Sequence, residues 1–443
     1  MTDTTPKTAR HIPEKVSAAR SVAFDLLRAV LAKTTPLDEA LAAHDGLAKL
    51  PERDRGFART LVATTLRRLG HVDRLIDDCL ATPLPDKAAV VRDILRIAAT
   101  ELLILGVAPH AAVDSAVTLT RSRGHEKFAK LTNAVLRRLD REARETIAAF
   151  PALDALPVWL IERWRKTYGA ETAEAIAAAI QREPTLDISV IDDLDGWAER
   201  LGATILPTKS LRLPLAGRIE QLPGFTEGRW WVQDAAAALP ARLLGDVKGK
   251  RVIDLCAAPG GKTAQLLAAG ASVIAVDRSK PRIGRLERNL ARLGLGTATV
   301  VADATVWRPP EPVNAVLLDA PCSATGTVRR HPDIPWLKGT ADIAKLAALQ
   351  SALLTAAVDM LAPGGVLVFC TCSLEPEEGI ERIEALLNSR ADIARRPIEV
   401  AEVGGLATLI TPAGDLRTRP DHLAELGSLD GFYAARLVKV GHR

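Results

Sequence analysis

Cysteine is scarce in this 443-residue chain: there are five, at positions 79, 256, 322, 370 and 372. An odd count with no apolar leader excludes a disulfide framework and fits a reducing, cytoplasmic setting. No Cys-x-x-Cys pair occurs, so no metal site is expected. Long hydrophobic runs are missing as well. None approaches the roughly 20 residues of a membrane helix, and no membrane partner is expected. The opening MTDTTPKTARHIPEK is polar and lacks the apolar segment of a secretory signal. Residues 1–12 are expected to form a disordered tail. A strong net charge is missing too, the formal value being +4, but the charge is unevenly spread. Residues 1–150 carry 24 Lys and Arg against 19 Asp and Glu, and the remainder 34 against 35. A positive N-terminal third suits a polyanion-binding module, although solvated helix faces leave the same signature.

What is present reads as an ordinary globular protein, 48% hydrophobic and 25% charged, long enough for two or three domains. Helical periodicity runs through residues 13–150. In VSAARSVAFDLLRAVLA the apolar positions are Val16, Ala19, Ala23, Leu26, Leu27 and Val30, one stripe of a helix. The polar faces carry Arg53, Arg55, Arg59, Arg67, Arg68, Arg137, Arg138 and Arg141. A helical bundle is expected there. Pro151 to Pro157 reads as a linker. LDISVI, ATILP, SLRLPL and RWWVQD are strand-like, so residues 151–235 are read as a small α+β connecting domain. Over residues 236–443 the texture changes. RVIDLCAA, SVIAVDR, ATVVADA, AVLLDAP and GVLVFCTCS are short Val/Ile/Leu runs separated by helical stretches. That alternation predicts an α/β, Rossmann-like doubly wound parallel sheet, with GFYAARLVKV as its last strand. Such sheets bind ligands beyond the carboxyl ends of their strands.

Asp254 to Thr263, DLCAAPGGKT, follows the first of these strands. Its two glycines let backbone approach a ligand closely at a helix start. With Ala258 and Pro259 inside it, the loop fits neither G-x-G-x-x-G nor the phosphate-loop pattern. Asp277 ends the second strand, where a carboxylate accepts from ribose hydroxyls, and Asp303 follows the third. Three acids at three successive strand ends point to an adenosine-bearing ligand. Asp319-Ala-Pro-Cys322-Ser323 follows the fourth strand and Cys370-Thr-Cys372-Ser373 the fifth. Cys370 and Cys372, two apart, face one side if extended. Two thiols at the ligand edge suit covalent catalysis. Cytosine C5 is too weak a nucleophile to take a methyl group unaided, and a thiolate adding at C6 makes C5 nucleophilic. An acid at the base's pairing edge stabilises the charge that develops. The residues alone do not decide which of Cys322 and Cys372 is the nucleophile.

DLCAAPGGKT, DAPCSATGTVRRHPDIPW and TCS resemble the RNA cytosine-5 methyltransferases. ARSVAFDLLRAVL, ERDRGFARTLVATTLRR and FAKLTNAVLRRL resemble the transcription factor NusB. Together they are similar, over nearly the whole chain, to the bacterial RsmB/Sun (Fmu) family. That family methylates a cytosine of small-subunit (16S) ribosomal RNA with S-adenosylmethionine. The resemblance implies Cys372 as nucleophile, Cys322 as the thiol that assists product release, and Asp319 as the acid at the target base, with Lys262 near the reacting centre. It also implies a cofactor pocket of Asp254, Cys256, Ala257, Ala258, Pro259, Gly260, Gly261, Lys262, Asp277, Arg278, Arg282, Asp303, Ala304 and Asp319. The stretch from Gln233, QDAAAALPARLL, is implied as a helix closing that pocket. The expected partner is small-subunit ribosomal RNA, free or in a pre-ribosomal particle, and a monomer is expected. A tRNA cytosine-5 methyltransferase is the nearest alternative, and the NusB-like region argues against it. A non-enzymatic RNA-binding or antitermination factor is a second, against which stand all the residues the chemistry needs. Amino-group methylation would show an NPPY-like turn where this chain has DAPCS.

Overall fold

The computed structural model describes residues 17–214 and 218–441. The expected tail and Val16 lie outside the described residues. The chain forms two compact units, Met1–Pro157 and Val158–Arg443.

In the first unit the principal helices are Ala18–Lys33, Glu52–Arg67, Leu69–Asp78, Ala89–Leu103, Pro109–Ser122 and Ala129–Glu142. Proline at the first position of Pro109–Ser122 costs nothing, because that N–H has no partner within the helix. Thr34 ends the first helix in the left-handed region. The apolar stripes meet in a core that includes Phe24, Val72, Ile76, Ile94, Leu102, Val113 and Leu136. Each such side chain contributes about 1.5–3 kcal/mol on burial. Pro151–Pro157, read above as a linker, instead carries the turn Ala152–Ala155 and packs on Leu69–Asp78. His71 Nε2 sits 2.8 Å from the Pro151 carbonyl. Gly70 is required there, because a Cβ would come within 2.3 Å of the Asp154 carbonyl.

The second unit opens with the helices Val158–Tyr168 and Ala170–Ile180. A four-stranded antiparallel sheet follows: β1 (Leu186–Val190), β2 (Thr204–Ile205), β3 (Leu211–Leu213) and β4 (Trp230–Val232), in the order β2-β3-β1-β4. Asp187 and Arg212 are cross-strand partners and form a buried two-point ion pair, both bonds at 2.7 Å.

The large sheet contains β5 (Arg251–Leu255), β6 (Ser272–Asp277), β7 (Ala298–Val301), β8 (Val313–Asp319), β9 (Leu361–Thr371), β10 (Ile393–Arg395), β11 (Leu416–Arg417) and β12 (Tyr433–Lys439). Its order is β10-β12-β9-β8-β5-β6-β7, with β11 on β12. β5 to β9 are parallel, as the alternation predicts. The last strand departs from the purely parallel expectation, since β12 enters antiparallel between β9 and β10. Polarity cannot be read from an apolar run. Val252, Leu317 and Val368 face one core while Ile253, Val316 and Leu367 face the other, so both faces are covered. The strand order reverses at β5, between β6 and β8, which places a ligand crevice at their carboxyl ends.

One helix, Thr340–Asp359, is long and apolar enough by composition to cross a membrane. Asp342 and Lys345 interrupt it, so it does not read as an apolar run. Its residues Ile343, Leu353, Leu354, Ala357 and Val358 are buried, with Leu353, Leu354, Ala357 and Val358 in the sheet's core, as in a core helix.

Candidate active site

β8 and β9 run side by side with Asp319 opposite Cys370. The loops that leave them therefore start together and are stitched by Ala320 N to Cys370 O at 2.9 Å and Gly326 N to Cys372 O at 3.0 Å. Gly326 also bonds Gly431, and a Cβ on it would stand 2.0 Å from the Gly431 carbonyl. The result brings Cys322 and Cys372, 50 positions apart, to a sulfur–sulfur distance of 3.4 Å. That hydrogen bond and then burial push the Cys322 thiol well above its ordinary range.

Lys262, in the first turn of helix Gly261–Ala268, donates to Asp319 Oδ2 at 2.8 Å. Its ammonium lies 5.1 Å from the centre of the Phe432 ring. Burial works against its charge, but its anionic neighbours, Asp319 first among them, raise its pKa on balance. The other Asp319 oxygen accepts from Cys370 Sγ at 3.3 Å. Burial, then Asp319, keeps Cys370 a thiol. Cys372 lies just beyond the end of β9, so the strand alternation does not govern it; it and Cys370 border the same core but meet different partners, Cys322 and Asp319.

A cleft opens between the ends of β5, β6 and β7 and the helix Thr340–Asp359. Cys256, Asp277, Arg278, Arg282, Asp303 and Ala304 line it, as the sequence suggests. Asp277 is buried and accepts from Ser279 N at 2.9 Å and Ala258 N at 3.3 Å. Arg282 reaches the Ala258 carbonyl and lies 3.4 Å from Asp277. Asp303 is turned onto its own loop, where the Thr305 amide and hydroxyl hold its carboxyl below the usual range. Asp254 is fully buried behind the loop. Thr263 Oγ1 donates to its Oδ2 at 2.6 Å, and its Oδ1 has no partner. Burial pushes its pKa up to about 7. Burial also pushes Cys256 up to about 12, so it remains a thiol. Gly260 has φ +102°, and a Cβ would meet Leu286 at 2.9 Å. Of the other residues expected in the pocket, Asp254, Ala257, Ala258, Pro259, Gly260, Gly261, Lys262 and Asp319 do not line this cleft.

Two expectations need correcting or extending. The stretch from Gln233 does not line the cleft, although Gln233 itself stands beside Gly261. It is a turn and a short helix, Leu239–Arg242, whose Ala235, Ala236, Leu239 and Ala241 join the core on the other face. Its alanine-rich pattern buries as well as it would cover a ligand. The sequence reading also missed Pro321, Leu349 and Leu353, which line the cleft. It missed a charge cluster behind the cysteine loop. Arg329 bonds Asp234 at 2.8 Å, and Arg330 bonds Asp234 at 2.6 Å and Asp430 at 3.1 Å. The RRHP run holds both arginines, but nothing local indicates that acids about a hundred positions away receive them.

A family profile described as 16S rRNA methyltransferase RsmB/F matches residues 241–438, and the NusB family profile matches residues 17–141. Ribosomal RNA small subunit methyltransferase B of Salmonella typhi is 34% identical, covering 96% of this chain and 100% of its own length. The protein of the same name from Cronobacter sakazakii is 34% identical, covering 95% and 98%. Among solved structures, PH0851 superposes with a TM-score of 0.73 at 23% identity, covering 98% of this chain and 100% of that one. A methyltransferase homolog protein from Pyrococcus horikoshii gives 0.52 at 26% identity, covering 63% and 94%.

Proposed function

Because the chain belongs to the ribosomal RNA small subunit methyltransferase B family, we propose that it methylates C5 of a cytosine in 16S ribosomal RNA, with Cys372 as covalent nucleophile and S-adenosylmethionine as methyl donor. The 3.4 Å approach of Cys322 and Cys372, beside the Lys262–Asp319 pair, carries this reading. Two thiols at contact distance serve a reaction that needs one sulfur to bond the base and a second near the same ring.

The residues fit the donor. Asp254 offers a buried oxygen without a partner, Gly260 leaves the loop backbone bare, and Asp277 lines the cleft at the strand ends. In this reading Asp277 accepts from the ribose hydroxyls, and Asp303 and Ala304 flank the adenine. When bound, the donor supplies a sulfonium methyl group. The remaining steps belong to the chain. Cys372 gives its thiol proton to water, its Sγ bonds C6, and the electron pair of the C5–C6 double bond becomes available at C5. Asp319 sits at the N3 and amino edge of the base, and Lys262, kept charged, balances the charge that develops there. After methyl transfer the C5 proton leaves with assistance from Cys322, the C5–C6 double bond re-forms, and the bond from C6 to Cys372 breaks. The target cytosine has to leave its stack to reach these groups. The helical unit, with Arg53, Arg59, Arg137, Arg138 and Arg141 exposed, acts in this reading as the RNA-docking part.

Denaturing gels with labelled RNA test the assignment. Cys372→Ala is expected to lose methylation and to form no protein–RNA adduct. Cys322→Ala is expected to accumulate an adduct that disappears when Cys372 is also replaced. Substantial turnover by Cys372→Ala overturns the assignment, and an adduct in Cys372→Ala but not in Cys322→Ala reverses the two roles.

A further inference from the structure

Glu378 ends the short turn Pro376–Glu378 and is fully buried. Its Oε1 accepts from Ser323 N at 2.8 Å and from Gln350 Nε2 at 3.3 Å, and its Oε2 accepts from the Ser323 hydroxyl. That hydroxyl lies 3.2 Å from Ser373 Oγ. Gln350 also donates to the Pro321 carbonyl at 2.9 Å. Cys322 is thus gripped on both sides, through Pro321 by Gln350 and through Ser323 by Glu378. The Glu378 backbone carbonyl accepts from Thr371 Oγ1 at 2.9 Å, so the same residue is tied to the strand end that carries Cys372. No lysine or arginine pairs with this carboxylate among the described residues. A buried carboxyl group held only by neutral donors keeps part of its desolvation cost, so a purely structural turn is better served by a neutral side chain. What the carboxylate does offer is two acceptor contacts to Ser323 of the Cys322 loop and a third to Gln350, which itself holds Pro321 of that loop.

We propose that Glu378 is a positioning residue that holds the Cys322 loop against the Cys372 loop and so sets the contact between the two sulfurs. This rests on the reading of Cys322 as the thiol that assists release, and the test separates the two ideas. Sulfur proximity can be measured with no RNA present. Diamide takes two protons and two electrons from a pair of neighbouring thiols and becomes a hydrazine as the disulfide forms. Peptide mass mapping then gives the rate at which Cys322 is linked to Cys372. In Glu378→Ala that rate is expected to fall at least tenfold. In Glu378→Gln, which keeps one acceptor oxygen in the same volume, it is expected to fall by less. Cofactor affinity within twofold of the original shows that the variants are folded. With RNA, Glu378→Ala is expected to keep single-turnover methyl transfer within a few-fold and to accumulate the adduct stable to denaturation. A general loosening slows both stages together and leaves no adduct. An unchanged diamide rate in the folded Glu378→Ala variant overturns the proposal whatever the activity shows. If Cys322→Ala accumulates no adduct while Glu378→Ala still slows the linkage, the positioning role stands and the release role of Cys322 falls.

Discussion

The two units place their charges differently. In the helical unit the buried acids are few. Glu101 and Asp93 meet Arg20, Arg28 and Arg96 at the edge of the core, and Arg53, Arg59, Arg137, Arg138 and Arg141 stand in water. The catalytic unit buries Arg212 and Arg329 together with Asp187, Asp234, Asp254, Asp277, Asp430 and Glu378. Water reaches the first set, in which Arg138 and Arg141 lean on the equally exposed Glu142, so those side chains remain accessible to a polyanion. The second set is solvated by specific partners, which fixes the loops carrying Cys322 and Cys372. The same residue type is therefore left in water in one unit and locks geometry in the other.

Taking one arginine from each unit is the most severe test. Arg329→Ala leaves Asp234 and Asp430 buried around Arg330 alone, and breaking such a cluster costs about 3–5 kcal/mol. A large fall in the thermal unfolding midpoint is expected, whereas Arg137→Ala leaves the midpoint where it was. Equal effects from the two changes break the comparison.

Asp277→Ala comes next. A carboxylate bonding two ribose hydroxyls contributes on the order of 1–3 kcal/mol per lost partner. S-adenosylmethionine affinity measured by calorimetry is therefore expected to fall roughly tenfold or more. An unchanged affinity means that the ribose is held elsewhere.

Legibility divides along the same line. The strands were legible because buried parallel strands are continuous apolar runs, Asp277 and Asp319 because they close those runs, and Asp254 because it is the one acid inside the first of them. The arginines of the helical unit were legible because water needs no partner. Arg329 could not be matched to Asp234 and Asp430, nor Glu378 to Ser323, because those partners are set by loop paths between distant strands. Cys322 and Cys372 were each visible, but their contact was not, since it depends on Asp319 facing Cys370 across β8 and β9. The Gln233 stretch misled because alanine buries against a core as readily as against a ligand.

Asp254 sharpens the comparison through pH. Its pKa is raised from 3.8 to about 7 by burial, so the folded protein binds more protons than the unfolded chain between those values. Stability then falls as pH rises through that window, is fully reduced above it, and is unaffected below it. Asp254→Asn, which cannot ionise, is expected to flatten that part of the profile in denaturant titrations of the cofactor-free protein. A profile of unchanged slope means that the carboxylate is ionised in place.

The smallest effect belongs to the surface arginines. Arg137, Arg138 and Arg141 are exposed on the helix Ala129–Glu142, whose opposite face buries Val135, Leu136 and Leu139. Glutamine is nearly as good a helix former as arginine, so replacing all three leaves the fold and cofactor affinity unchanged. If these side chains touch phosphates, each loss releases one fewer counterion, and the slope of log affinity against log salt falls by about 0.7–0.9 per contact. A few-fold rise in the KM for RNA near physiological salt is expected, larger at low salt, with kcat unchanged. Because the catalytic unit has almost no net charge to attract RNA from a distance, the deficit is not made up elsewhere in the chain. A triple variant with the original salt slope and KM shows that RNA reaches the cleft without this face of the bundle.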